Sequence, residues 1–178
     1  MVESISFEEL FEHPIEYPDV DYRERLSTLV GLDDKKEQLI KTLGLLVNPH
    51  GLTEWIERPP LIVMAGDVGS GKTELAMTIG DAVARQENIS VTLLPLSLST
   101  RGDGKVGQMT KLISKAFEYT LERAKKLKGE TNKSRGAVIL LVDEADALAQ
   151  SRENEQMHHE DKSGVNAFIR GIDSLGNG

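Results

Sequence analysis

Residues 66–73 read Gly-Asp-Val-Gly-Ser-Gly-Lys-Thr, and this stretch decides the fold. The pattern is that of a phosphate-binding P-loop, in which glycines let successive backbone N–H groups turn inward around phosphate oxygens. An apolar run at residues 61–65 precedes the loop, and a helical pattern that begins at Gly71 follows it. The N-terminal end of such a helix attracts anions. The stretch therefore predicts a nucleotide site where a buried strand turns into a helix.

The side chains of the P-loop have separate predicted roles. Lys72 is expected to reach the β- and γ-phosphates, and the hydroxyl of Thr73 to bind Mg²⁺. A carboxylate aimed at a triphosphate would repel it, so the side chain of Asp67 is expected to point outward. The predicted nucleotide-contacting residues of the loop and helix start are Asp67, Val68, Gly69, Ser70, Gly71, Lys72, Thr73 and Glu74.

A second apolar run, residues 138–142, ends in the acids Asp143 and Glu144. A strand buried beside the P-loop strand would place both carboxylates at the C-terminal edge of the sheet, where open α/β folds bind ligands. Asp143 is predicted to hold Mg²⁺ through water, together with Thr73. Glu144 is predicted to act as the general base on the attacking water, with Lys72 as the second catalytic residue.

Hydrophobic periodicity predicts an α/β fold with a parallel sheet covered by helices on both faces. Residues 1–28 are acidic and contain two prolines, so they predict an extended arm or a short leading helix, and residues 29–178 predict the domain itself. Within the domain, the predicted strands are residues 61–65, 89–96 and 137–142. The predicted helices are a helix from about residue 34 that ends before Pro49, then residues 71–85, 107–128 and 164–175.

Composition narrows the functional class. The 178 residues include 29 acids and 21 bases, for a net charge of −8, which argues against broad binding to a nucleic-acid backbone. The absence of cysteine excludes disulfides and thiol chemistry. The N-terminus carries acids rather than an export signal, and no apolar run is long enough to span a bilayer, so a cytoplasmic location is expected.

The P-loop and the Asp143-Glu144 strand end, separated by an insert of this size, resemble the AAA+ ATPases, and the resemblance covers about residues 29–175. It implies ATP and Mg²⁺ as ligands, hydrolysis by Glu144, and a homo-oligomeric ring. Residues 29–32 resemble the segment beside adenine in that family, which places Val30 and Gly31 near the base. Residues 164–173 are similar to a helix of protein-remodelling members, which favours a protein partner.

Two other segments fit the family more loosely. Residues 104–107 stand where the family carries its central pore loop, but Lys105 occupies the place of the usual aromatic residue before Val106. A pore loop and a plain flexible loop both stay open there. Residues 150–164 are expected to form a second pore-facing loop, and the adjacent His158 and His159 are poorly placed to share one metal.

The family's sensor strand, arginine finger and helical lid are not found before Gly178, and Arg170 belongs to a predicted helix. The sequence is therefore expected to be a truncated domain that binds nucleotide but hydrolyses it slowly. One alternative is an assembly or switch module with little hydrolysis of its own. An RNA helicase is suggested by the string Asp-Glu-Ala-Asp at 143–146, but the further motifs that it needs between Thr73 and Asp143 are missing. A small-molecule kinase is a further alternative.

Overall fold

The computed structural model describes residues 7–47, 60–97, 108–127, 135–145 and 159–176. None of the helices in these ranges has the length and apolar character that crossing a membrane requires. The elements in chain order are α1 (Phe7–Leu10), β1 (Ile15–Tyr17), α2 (Val20–Thr28), α3 (Asp33–Val47), α4 (Lys72–Glu87), β2 (Ser90–Ser97), α5 (Gln108–Leu127), β3 (Gly136–Asp143) and α6 (His159–Gly176).

The described strands form a mixed sheet in the order β1-β2-β3. β2 and β3 run parallel, in a register that pairs Ser90 with Gly136 and Ser97 with Asp143. β1 runs antiparallel to β2 and pairs Ile15 with Leu93. The predicted α/β class and the parallel pairing of β2 with β3 are confirmed, whereas the antiparallel strand was not predicted.

β2 lies at the centre of the fold because its side chains are apolar on both faces. Leu94 and Leu96 pack with α5 and α6 on one face. Val91 and Leu93 pack with α4 and β1 on the other face. All four are at most 1% exposed. Helices therefore cover both faces of the sheet, as predicted, and the bounds of α3, α4, α5, β2 and β3 agree with the sequence patterns to within about two residues.

The N-terminal segment, residues 7–28, is packed into the domain. Tyr17 is 2% exposed, and its ring fills the space where a Cβ on Gly80 would lie 2.4 Å from the ring edge. The Tyr17 hydroxyl donates to the carbonyl of Met77, and burial raises the pKa of this phenol above its ordinary value. Two helices and a strand therefore occupy the region for which an arm or a leading helix was expected. The domain division at residue 28 stays a prediction.

The predicted strand at residues 61–65 is wrong. The structure has no strand there, and Leu61 and Val63 are 48% and 78% exposed. A strand needs a neighbour for its backbone hydrogen bonds, and residues 61–65 pair with neither edge of the described sheet, although the outer edge of β3 has no described neighbour. No described strand lies beside residues 61–65, so the expected burial of β3 beside a P-loop strand is also wrong. From Ala137 onward β3 is only half-buried.

The predicted second pore-facing loop is also wrong in part. α6 begins at His159, so residues 159–164 are helical rather than part of a polar loop. The rest of that predicted loop, including His158, lies outside the described residues. The same holds for residues 104–107, so the interpretation of Lys105 and Val106 as a pore loop stays a prediction.

Candidate nucleotide-binding site

The P-loop joins α4 through two glycines in left-handed backbone conformations. Gly69 has φ 77° and Gly71, at the N-cap of α4, has φ 83°. Such angles are strained for residues with a side chain, which explains why glycine stands at both positions. The amide of Ser70 donates to the carbonyl of Asp67 at 3.3 Å and closes the turn before the helix. The loop thus presents its backbone at the N-terminal end of a 16-residue helix.

The Lys72 ammonium is held by the P-loop itself. Its Nζ donates to the carbonyl of Gly66 at 2.7 Å and to the carbonyl of Asp67 at 2.6 Å, and it lies 3.4 Å from Ser70 Oγ. These contacts keep the positive charge at the loop. Binding to a phosphate would require some of them to be exchanged for phosphate oxygens.

The end of β3 meets the start of α4, as the sequence predicts. Thr73 Oγ1 lies 3.4 Å from Asp143 Oδ1, although 70 residues separate them in the chain. The backbone N–H of Glu144 donates to the same carboxylate oxygen at 2.9 Å. Glu144 is exposed and adopts φ 54°, a left-handed conformation that is uncommon for a residue with a side chain. Asp143 thus ends the strand at the start of α4, and the chain turns at Glu144.

The segment predicted to lie near adenine is next to the P-loop. A Cβ on Gly71 would lie 3.4 Å from Leu32 Cδ1 and 3.7 Å from Leu29 Cδ2. Between these leucines, Val30 is 90% exposed and Gly31 has φ 77°. The exposed apolar side chain of Val30 is available to a ligand, and its contact with a base stays a prediction. Asp67 and Val68 are also exposed.

The model of the ATPase family associated with various cellular activities (AAA) matches residues 62–178. This chain belongs to the AAA family. The resemblance to AAA+ ATPases is therefore confirmed, and the match begins at the segment that leads into the P-loop.

Similar proteins are known from bacteria. CD-NTase-associated protein 6 of Escherichia coli strain MS 115-1 is 63% identical over an aligned length of 187 residues, and the alignment includes 97% of this chain and 60% of that protein. The protein of the same name from strain KTE188 is 35% identical over an aligned length of 182 residues, and the alignment includes 93% of this chain and 58% of that protein. The chain thus spans about 60% of the length of the first of these relatives.

Two solved structures share the fold. A chain of the E. coli MS115-1 HORMA:CdnC:Trip13 complex superposes with a TM-score of 0.87 at 61% identity, over 97% of this chain and 61% of that one. Rhizobiales Trip13 superposes with a TM-score of 0.71 at 53% identity, over 95% of this chain and 58% of that one.

A cavity of about 220 Å³ lies beside the acidic end of β3 in this AAA domain. Asp143 and Glu144 line it from β3, and Glu12 and His13 line it from the N-terminal segment. The backbone N–H of Glu12 donates to the carbonyl of Pro95 at 2.9 Å, which fixes this wall against β2. The sequence pattern did not indicate Glu12 or His13, because nothing local shows that the segment folds against the sheet. Apolar side chains complete the lining, among them Ile15, Met77 and Leu141.

Glu74, in the first turn of α4, is bound by a residue that the sequence did not single out. Arg25 Nε donates to Glu74 Oε1 at 2.8 Å, and Arg25 Nη2 donates to Oε2 at 2.7 Å. The hydrogen bonds to Glu74 raise the pKa of the Arg25 guanidinium. Arg25 also lies 4.7 Å from the centre of the Tyr22 ring. This pair places α2 against the same helix end that carries Lys72 and Thr73.

Proposed function

We propose that this chain is the ATP-binding, Mg²⁺-dependent hydrolytic core of an AAA module. The observation that carries the proposal is the approach of Thr73 Oγ1 to Asp143 Oδ1 at 3.4 Å. It joins the phosphate-binding helix end to a carboxylate at the C-terminal end of a parallel strand, which is where open α/β folds bind ligands. Membership of the AAA family supports ATP as the nucleotide.

The oxygens of Thr73 and Asp143 fit a magnesium ion. Mg²⁺ prefers oxygen ligands in octahedral geometry, in which two adjacent ligands at 2.0–2.1 Å from the metal stand about 3 Å apart. The observed 3.4 Å separation is close to that spacing. When bound, Mg²⁺ would neutralise charge on the β- and γ-phosphates.

The hydrolytic step needs a base and a fixed phosphate. Glu144 would accept a proton from water as the water oxygen bonds to the γ-phosphorus and the bond to the β–γ bridging oxygen breaks, releasing ADP and phosphate. Lys72 would hold the phosphate oxygens with its ammonium.

A protein partner is the best-supported substrate of the full-length protein. The similar chain at 61% identity was solved in a complex that contains HORMA and CdnC proteins. We infer that a HORMA-type protein is the first candidate partner, remodelled by a homo-oligomeric ring of the full-length protein. A second candidate function is an assembly or switch module that binds ATP and hydrolyses little, because Glu144 is exposed and no described contact fixes its carboxylate.

Replacing Lys72 tests nucleotide binding. Lys72→Ala removes a charge-assisted contact to phosphate, so the Kd for Mg-ATP should rise at least about tenfold. The matched control is Lys35→Ala, which removes an exposed lysine from α3 and should leave the Kd unchanged. Titration of labelled ATP against the three folded proteins makes the measurement. Equal Kd values for wild type and Lys72→Ala would contradict the assignment of the P-loop.

Replacing Glu144 tests turnover separately from binding. In the full-length protein, Glu144→Gln keeps the shape of the side chain but removes the base, so the steady-state rate should fall about 10²–10⁴-fold while ATP stays bound. Asp143→Asn should instead weaken the Mg²⁺-dependent part of ATP binding. If Glu144→Gln hydrolyses ATP at the wild-type rate, Glu144 is not the base. If the wild type binds ATP without turnover, the switch module is the better description.

A further inference from the structure

We propose that Arg25 is a positioning residue of the nucleotide site, which neutralises Glu74 so that the N-terminal end of α4 accepts a triphosphate. This inference rests on the proposed ATP-binding function. It assigns a role at the site to α2, which precedes the P-loop in the chain by about 40 residues and lies in the region for which an arm or leading helix was predicted.

Arg25 and Glu74 form the bidentate contact, which is the strongest hydrogen-bonding geometry for a guanidinium and a carboxylate. Two parallel N–H donors of Arg25 meet the two oxygens of Glu74 at 2.8 and 2.7 Å, the fork arrangement that a guanidinium forms with a carboxylate. The ring of Tyr22 covers the guanidinium at 4.7 Å, and Tyr17 contacts Tyr22 edge-on at 5.4 Å. Arg25 is thus held in place by a ring that is itself packed against the core.

Stability alone does not account for this arrangement. The side chains of Arg25 and Glu74 are 42% and 35% exposed, and ion pairs exposed to this degree contribute little to folding. α2 is also held on α4 at another point, where the backbone N–H of Asp19 donates to the buried carboxylate of Asp81 at 2.8 Å. Removing the charge of Arg25 should therefore leave α2 in place.

The acidic residues around the P-loop explain why neutralising Glu74 would favour nucleotide binding. Glu74 directly follows Thr73, and three further acids, Asp67, Asp143 and Glu144, belong to the loop or to the strand end that meets it. A carboxylate in the first turn suits the dipole of α4, but it repels a triphosphate bound at the same helix end. The bidentate contact with Arg25 cancels that charge without removing the side chain.

A double-mutant cycle on the full-length protein tests this role, with Mg-ATP as the probe. Arg25→Gln should raise the Kd about tenfold, because an unpaired carboxylate is then left in the first turn of the helix whose N-terminal end binds the phosphates. Glu74→Gln should lower the Kd, because it leaves the positive charge of Arg25 without its carboxylate partner at the phosphate-binding helix end. The double variant should recover to within about threefold of wild type, since the repelling charge is gone. Arg23→Gln, on an exposed position of α2, is the matched control and should change nothing.

Two further readouts separate charge from structure. The loss in Arg25→Gln should shrink at high salt, since salt screens the exposed carboxylate. It should also be larger for ATP than for AMP, which carries less negative charge. If the double variant binds ATP as weakly as Arg25→Gln, or if the loss of affinity does not depend on salt, Arg25 has a merely structural role and the inference is overturned. So would an Arg25→Gln protein that binds ATP like wild type. Failure of the wild type itself to bind Mg-ATP would instead refute the proposed function.

Discussion

Two short segments of this chain adopt structures that their amino-acid composition does not predict. Residues 61–65 are apolar throughout, yet they form no strand, and Val63 is 78% exposed. Residues 15–17, Ile-Glu-Tyr, contain a charged residue and follow a proline, yet they form a strand whose Ile15 and Tyr17 are almost fully buried. The difference teaches that an apolar run supplies the capacity to be a strand, whereas a partner that pairs with its backbone groups makes it one.

β1 has such a partner, and every one of its side chains has a place. Ile15 and Tyr17 point into the cluster between β2 and α4. Glu16, on the opposite face, accepts a hydrogen bond from Thr92 at 2.8 Å and pairs with Arg123 at 3.1 Å. The polar residue that makes this segment look like a surface arm is thus satisfied at the sheet, so its presence does not prevent strand formation.

The largest effect should follow from removing the side chain that fixes β1. Tyr17→Ala deletes a buried ring and a hydrogen bond to Met77, so the free energy of unfolding should fall by about 3–5 kcal/mol. Urea denaturation followed by circular dichroism measures it. A loss below about 1 kcal/mol would mean that β1 is held loosely and that the contrast between the two segments is not energetic.

A smaller effect should come from the α4 side of the same contact. Gly80→Ala places a Cβ 2.4 Å from the Tyr17 ring, so overpacking should cost about 1–3 kcal/mol. The matched control is Gly44→Ala, on α3, where the added Cβ meets the flexible end of Glu87. Because alanine favours helix over glycine, the control should be neutral or stabilised by about 0.5 kcal/mol. Equal changes in Tm for the two variants would contradict the proposed close contact between Gly80 and the Tyr17 ring.

The smallest effect belongs to the apolar segment. Val63→Ala removes methyl groups that are already largely in water, so the free energy of unfolding should change by less than about 0.5 kcal/mol. The same denaturation experiment serves. A loss similar to that of Tyr17→Ala would show that residues 61–65 are buried in solution and would remove the contrast.

The sequence alone predicts an element correctly wherever the signal for that element is local. α4, α5 and β2 carry their own periodicity, and the P-loop carries its own backbone chemistry, so these parts were predicted with nearly correct bounds. The sequence also predicted that Thr73 and Asp143 lie close together, although the buried P-loop strand on which that prediction rested is not present in the structure. The roles assigned to the site residues stay predictions until nucleotide is bound.

The features that the sequence did not predict depend on partners that are distant in the chain. Arg25 and Glu74 are 49 residues apart, and nothing near either residue indicates the other. β1 is three residues long, too short for a periodic pattern, and its pairing is decided by the free edge of β2. The strand predicted at residues 61–65 failed for the converse reason, since its local pattern is clear but no described strand lies beside it.

The attachment of the N-terminal segment also sets an order of events during synthesis. The ribosome delivers residues 7–17 before the residues that they contact, so Glu16 must wait for Thr92, 76 residues later, and for Arg123, 107 residues later. Phe7 and Phe11 contact the ring of Tyr119, which lies on α5 and is synthesised later than β2. Contacts of such long range close slowly, so the nascent chain carries two exposed phenylalanines until α5 has been translated. The segment that contains α1 and β1 is therefore synthesised before every described element that holds it in place.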